Sequence, residues 1–170
     1  IDLFDEPVLL GTGGTVIATR KLFGGGPLLV VHADNLSSIN LRAFYAEHIN
    51  RPKNCVMTMA LFYTDAPQYC GIVELDQQNR VILMHEKIEE PPGKLANAAI
   101  YILDSEGLDQ MEAMEGHGVD ISTQIIPKFL GRIYGYQITG YHRDIGSPSS
   151  LSKAHQEITH SKIIELMGPS

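Results

Sequence analysis

Positive charge is scarce in this chain: 13 Lys plus Arg stand against 20 Asp plus Glu, a formal charge of -7, and no basic run occurs. A non-specific nucleic-acid surface needs such a run, so nucleic acid is not an expected partner, and an anionic substrate would require local cations or a metal. Cysteine is scarcer still, with only Cys55 and Cys70, outside any C-x-x-C spacing. That argues against a zinc knuckle, a redox pair or a disulfide framework, and both read as core residues in a reducing compartment. No apolar run reaches the length of a membrane span, and the first residues lack a basic-then-apolar signal pattern. A cytoplasmic chain without membrane contact is the expectation. Several catalytic motifs are missing too. There is no G-x-S-x-G, no Lys-Ser/Thr to make a P-loop of Gly11-Thr12-Gly13-Gly14, no G-x-G-x-x-G, and no Asp-Phe-Gly to make His142-Arg143-Asp144 a kinase catalytic loop.

What is present suffices for one core: 170 residues, 44% of them hydrophobic, fit a single globular unit. Its organising stretch is Leu28-Leu29-Val30-Val31-His32-Ala33-Asp34-Asn35, which follows the breaker Gly24-Gly25-Gly26-Pro27. Four consecutive apolar residues running into an acidic pair predict a strand buried on both faces that delivers a carboxylate at its carboxyl end, where open α/β sheets bind ligands. Upstream, Leu9 to Thr15 is a glycine-rich loop opening a helix, whose backbone amides suit a phosphate or a base edge. Downstream, Ser37 or Ser38 is expected to cap a helix to about Asn50 with Leu41, Phe44, Tyr45 and His48 on one face.

Cys55 to Tyr63, Cys70 to Leu75 and Arg80 to His85 read as strands, the last two joined into a hairpin by Asp76-Gln77-Gln78-Asn79. Ala96 to Leu103 is another strand. Helical patterns follow at Leu108 to Met114 and at Ser122 to Leu130, where Pro127 marks a kink or an end. Ile133 to Ile138 and Tyr141 to Asp144 are short strands, and Ser147-Pro148 opens a terminal amphipathic helix. The pattern predicts an α/β fold of Rossmann-like type: a mixed, mostly parallel sheet flanked by helices with one antiparallel hairpin excursion.

Two His-x-Asp triplets, His32-Ala33-Asp34 and His142-Arg143-Asp144, each end a short strand. At period two the His and Asp share a strand face, but with neither Cys nor a helical H-x-x-x-H to complete a transition-metal site, carboxylate binding of Mg²⁺ is favoured over histidine ligation.

Taken in order, Leu10-Gly11-Thr12-Gly13-Gly14, Ala33-Asp34-Asn35, Cys70-Gly71-Ile72-Val73-Glu74, Glu86-Lys87, Ala96-Asn97-Ala98-Ala99-Ile100-Tyr101 and Asp144-Ile145-Gly146-Ser147-Pro148 resemble the sugar-phosphate nucleotidyltransferases. The mannose-1-phosphate or heptose-1-phosphate guanylyltransferase type, with its similar Leu-Gly-Thr-Ala/Gly-Gly loop, is the best-matching subgroup. The resemblance implies that a sugar 1-phosphate attacks the α-phosphorus of a nucleoside triphosphate, with GTP favoured, giving a nucleotide-sugar and pyrophosphate. It implies Mg²⁺ held by Asp34 and Asp144, a nucleotide site at Gly11, Thr12, Gly14 and Asp34, and a sugar-phosphate pocket of Gly71, Glu86, Lys87, Asn97 and Tyr101. Asp34, Lys87 and Asp144 carry the catalytic roles. Homo-oligomerisation is left open.

Three departures accompany the resemblance. The family's opening G-x-G-T-R-L loop, which carries the triphosphate, is absent; Ile88 stands for the usual proline after Glu-Lys, and Ala99 for the usual glycine before Ile-Tyr. With the abrupt start at Ile1-Asp2-Leu3-Phe4, this predicts that residues 1–170 are a single nucleotidyltransferase domain lacking its N-terminal strand and loop, and inactive alone. The alternative is a non-catalytic relative that binds a sugar phosphate or nucleotide-sugar and regulates a partner.

Overall fold

A computed structural model describes residues 2–114 and 118–159. In chain order it runs α1 (Gly11–Thr19), β1 (Leu28–Val31), β2 (Asn35–Ser37), α2 (Leu41–Asn50), β3 (Met57–Tyr63), β4 (Gly71–Leu75), β5 (Val81–Glu86), β6 (Leu95–Leu103) and α3 (Ser105–Glu112). A π-helical turn, Ile121–Ile125, then continues into α4 (Ile126–Phe129), followed by β7 (Ile133–Gln137), β8 (His142–Asp144) and α5 (Pro148–Thr159). The π turn falls just ahead of Pro127, which has no N–H for a regular i to i−4 bond, so the kink expected at that proline is a change of helix type.

The main sheet has the order β5-β4-β6-β3-β7, with β1 also paired to β6. Among the described residues only β3 and β7 pair in parallel, yet β1, β3, β4 and β7 all run one way, because each of the first three is antiparallel to β6. β4 and β5 form the expected hairpin, and β2 and β8 make a separate two-stranded antiparallel sheet. Alternation along the strands splits the core. Met57, Met59, Leu61, Tyr101 and Leu103 face the side covered by Val16, Met111 and Ile125, whereas Ala60, Ile100 and Ile102 face Phe44 of α2. Helices therefore cover both faces. Among the described residues no helix is long and apolar enough to cross a membrane. Both cysteines are free, Cys55 buried and Cys70 partly so.

Two expectations need correction. β1 is not buried on both faces: Leu29 and Val31 are 41% and 47% exposed, since β1 packs into the core only through Leu28 and Val30 and pairs, among the described residues, with β6 alone. The helix after β2 is capped by Asn40, whose side chain accepts from the Ala43 N–H at 3.0 Å, rather than by Ser37 or Ser38. Ser37 belongs to β2, and the Ser38 hydroxyl accepts from the Tyr141 N–H at 2.8 Å.

Candidate active site

β6 is longer than any strand beside it, and it changes partner halfway. Its end, Ile100 to Leu103, pairs with β1, while on the same edge its beginning pairs with β4 through Ala96 and Ile72. Between these halves lies a bulge: Tyr101 stands opposite Met59 but Asn97 opposite Leu61. Ala99 sits in the bulge at φ 51°, the left-handed region. Its carbonyl accepts from the His32 N–H at 3.4 Å, and the Ala98 carbonyl accepts from the Asn35 side-chain amide at 2.9 Å. The fork in the sheet thus grips the segment that carries Asp34.

Asp34 meets Asp144 because β2 pairs with β8, placing Asn35 opposite Asp144. The Asp34 carbonyl accepts from the Ile145 N–H and the Asp144 carboxylate from the Gly146 N–H, each at 2.7 Å. Both carboxylates converge on one point: a Cβ added to Gly146 would lie 2.9 Å from Asp34 Oδ2 and 3.1 Å from Asp144 Oδ1. The two line a cavity of about 1120 Å³, together with Tyr63, Tyr69, Cys70 and Arg143.

Among the described residues the cations around this cavity are already engaged. Arg143 donates to Glu157 from Nε and Nη2 at 2.9 and 3.0 Å, and Lys153 Nζ donates to Asp65 at 2.5 Å. The Tyr141 hydroxyl, with Arg143 adding to it, holds the Glu157 carboxyl below its ordinary range, as Lys153 does for Asp65. Among the described residues Asp34 and Asp144 have no ion-pair partner, so the cavity keeps uncompensated negative charge at the point where they converge. Two hard carboxylates open to solvent, with room between them, form the donor set that Mg²⁺ takes alongside substrate phosphates. No group of three or more His, Cys, Asp or Glu side chains gathers for a metal among the described residues. His142 instead packs against Phe62, ring centroids 4.4 Å apart and planes tilted by 52°, and burial lowers its pKa to about 4.

The remaining sequence candidates fall into three groups. Gly71 and Glu86 are opposite one another in the hairpin, so close that a Cβ on Gly71 would lie 2.7 Å from Glu86 Oε2. Lys87 follows at φ 50°, its N–H donating to the carbonyl of the cavity residue Cys70 and its ammonium 3.8 Å from Glu86. Asn97 donates to the Tyr101 hydroxyl at 2.8 Å and accepts from the Ala99 N–H at 2.9 Å. Tyr101 is fully buried, and burial raises its phenol to about 12, so its place is behind Asn97 rather than on a pocket wall.

The third group, Gly11, Thr12 and Gly14, is tied to the segment before the π turn. The N–H groups of Gly13 and Gly14 donate to the Val119 carbonyl at 2.8 and 3.0 Å, and the Thr12 hydroxyl donates to Asp120 and accepts from the Ile121 N–H, each at 2.9 Å. Gly11, at φ 77°, would set a Cβ 2.5 Å from the Val119 oxygen. Its lack of a side chain is accounted for by this contact. Sequence reasoning missed the Asn35 amide, the Arg143–Glu157 pair and the space over Gly146; only a glycine two residues after Asp144 hinted at the last.

A family profile described as nucleotidyl transferase matches residues 2–161. A mannose-1-phosphate guanylyltransferase of Mycobacterium tuberculosis is 27% identical over 162 residues, 93% of this chain and 44% of that protein. A bifunctional protein GlmU of Methanococcus maripaludis is 29% identical over 165 residues, 94% of this chain and 38% of that protein. The chain thus spans less than half the length of these curated relatives. Among solved structures, HddC from Yersinia pseudotuberculosis superposes with a TM-score of 0.74 at 21% identity, covering 90% of this chain and 64% of that one. The same protein complexed with GMP-PN gives 0.73 at 20% identity, over 92% of this chain and 66% of that one. A profile that spans nearly the whole chain, over a sheet whose fork brings two distant carboxylates together, shows that this chain belongs to the nucleotidyl transferase family.

Proposed function

We propose that the full-length protein is a cytoplasmic sugar-1-phosphate nucleotidyltransferase of nucleotide-sugar synthesis. A phosphate oxygen of the sugar 1-phosphate bonds to the α-phosphorus of the nucleoside triphosphate, the bond to the β-phosphate oxygen breaks, and pyrophosphate leaves. The observation that carries the reading is the convergence of Asp34 and Asp144 on one point in an otherwise charge-paired cavity. Such a transfer needs positioning and charge neutralisation more than a protein nucleophile. Mg²⁺, when bound, supplies that neutralisation between the phosphates, and the two aspartates are the residues that would hold it.

In this reading Glu86 and Asn97 accept from and donate to sugar hydroxyls, Gly71 leaves room for Glu86, and Lys87 pairs with the sugar phosphate. Tyr101 orients Asn97. Gly11, Thr12 and Gly14 serve the nucleotide by shaping the junction of α1 with Val119. A guanine nucleotide is favoured by the guanylyltransferase relative and by the GMP-PN complex of HddC.

The test is pyrophosphate release by the full-length protein over a grid of nucleoside triphosphates and sugar 1-phosphates with Mg²⁺. One pair should stand out, with release abolished by EDTA. Tight binding of a nucleotide-sugar with no release from any pair would replace this reading with that of a non-catalytic binding protein.

A further inference from the structure

Gly146 is not explained by its backbone. Its φ lies outside the left-handed region where L side chains are strained, and it makes no turn that requires glycine. What a side chain there would meet is specific: Asp34 Oδ2 at 2.9 Å, Asp144 Oδ1 at 3.1 Å and Asp34 Cβ at 3.6 Å. Two of these three atoms are the carboxylate oxygens contributed by segments more than a hundred residues apart. A Cβ at 146 and a cation between the aspartates would compete for the same space, since Mg²⁺ binds carboxylate oxygen at about 2.0–2.1 Å.

We infer that Gly146 is a positioning residue, a spacer whose missing side chain lets the Asp34 and Asp144 carboxylates converge on a divalent cation. This rests on the proposed role of the two aspartates. An added methyl group is relieved cheaply, because Asp34 is exposed and its carboxylate can swing into solvent, while the Gly146 N–H that anchors Asp144 at 2.7 Å is retained in an alanine. The substitution should therefore leave the fold intact and splay the carboxylates. That outcome separates a spacer from a packing glycine such as Gly11, which faces fixed backbone.

The experiment is titration of the full-length protein with Mn²⁺, followed by the EPR signal of the free ion, and melting of each variant without metal. Gly146→Ala should weaken Mn²⁺ binding by about 10- to 100-fold, the scale on which residues supporting metal ligands act. Asp34→Asn should do at least as much. Gly26→Ala, whose added Cβ meets nothing within 4 Å, should bind as the wild type does. Metal-free melting temperatures should agree to within about 2 °C, the low end of what a defect of about 1 kcal/mol causes in a domain of this size. Wild-type binding in Gly146→Ala beside lost binding in Asp34→Asn would overturn the spacer and leave the role of the aspartates standing. Unchanged binding in both Asp34→Asn and Asp144→Asn would overturn the two together. A large drop in the melting temperature of Gly146→Ala would also refute the inference, by making Gly146 a structural residue.

Discussion

Replacing Ala99 with glycine should stabilise the protein, the reverse of the usual effect of glycine in a strand. Ala99 holds φ 51° in the β6 bulge, where its N–H donates to Asn97 Oδ1 at 2.9 Å. An L residue in the left-handed region costs roughly 1–2 kcal/mol. Glycine removes that cost but adds about 0.4–1 kcal/mol of unfolded-chain entropy and forfeits a half-buried methyl worth a few tenths of a kcal/mol. The balance is a gain of about 0.5 kcal/mol, or ~1–2 °C in melting temperature for a domain of this size. Ala99→Val moves the other way, because a β-branched side chain tolerates positive φ worst, and should lose ~1–2 kcal/mol. Urea unfolding of the two variants beside the wild type measures both shifts. The order glycine, alanine, valine is the prediction. A glycine variant no more stable than the valine variant would mean that the bulge does not hold Ala99 in this conformation, and would remove the physical basis for its grip on His32 and Asn35.

Acid should destabilise the fold before the carboxylates titrate. Burial lowers the pKa of His48 and His142 to about 4, below the ordinary value of 6.5, so stability present above pH 6.5 is lost as pH falls toward 4, on the order of 1–3 kcal/mol per group. Urea midpoints at pH 7 and 4.5 measure this, and an undiminished pH dependence in His48→Gln/His142→Gln would contradict it. Lys87→Met should raise the KM for the sugar 1-phosphate by roughly tenfold, about 1.5 kcal/mol for an exposed charge-assisted contact, and leave nucleotide affinity near normal. Equal loss for both ligands would assign Lys87 to folding instead.

The elements were largely legible in the sequence because periodicity reports local burial. The mostly apolar run Cys55 to Tyr63 and the turn Asp76–Asn79 announced β3 and the hairpin, and both are present. β1 was placed correctly but read as doubly buried, since four apolar residues in a row do not say how many neighbours a strand has, and here two of them face outward. The site was legible as a set of residues more than as a shape. Asp34 and Asp144 stood out by chemistry, and Tyr141 to Asp144 reads as a strand, yet their meeting depends on the pairing of β8 with β2, a three-residue strand that leaves no periodic signal. The fork at Ala99 was hidden for a related reason, because a bulge changes register without changing composition. For Thr12 and Tyr101 the sequence shows a hydroxyl without its partner, and in the fold the first is bonded to Asp120 at the surface and the second to Asn97 in the core.

The most direct test of the central claim is the turnover of Asp34→Asn, Asp144→Asn and the double variant in the full-length protein, measured as Mg²⁺-dependent pyrophosphate release with its best substrate pair. If one cation shared by both carboxylates serves the reaction, each single variant should lose ~10²-fold or more, the scale of lost electrostatic stabilisation. The double variant should then be little worse than the worse single, because removing either partner already disables the unit. Near-normal turnover in both single variants, or losses that multiply in the double, would contradict a shared site at Asp34 and Asp144.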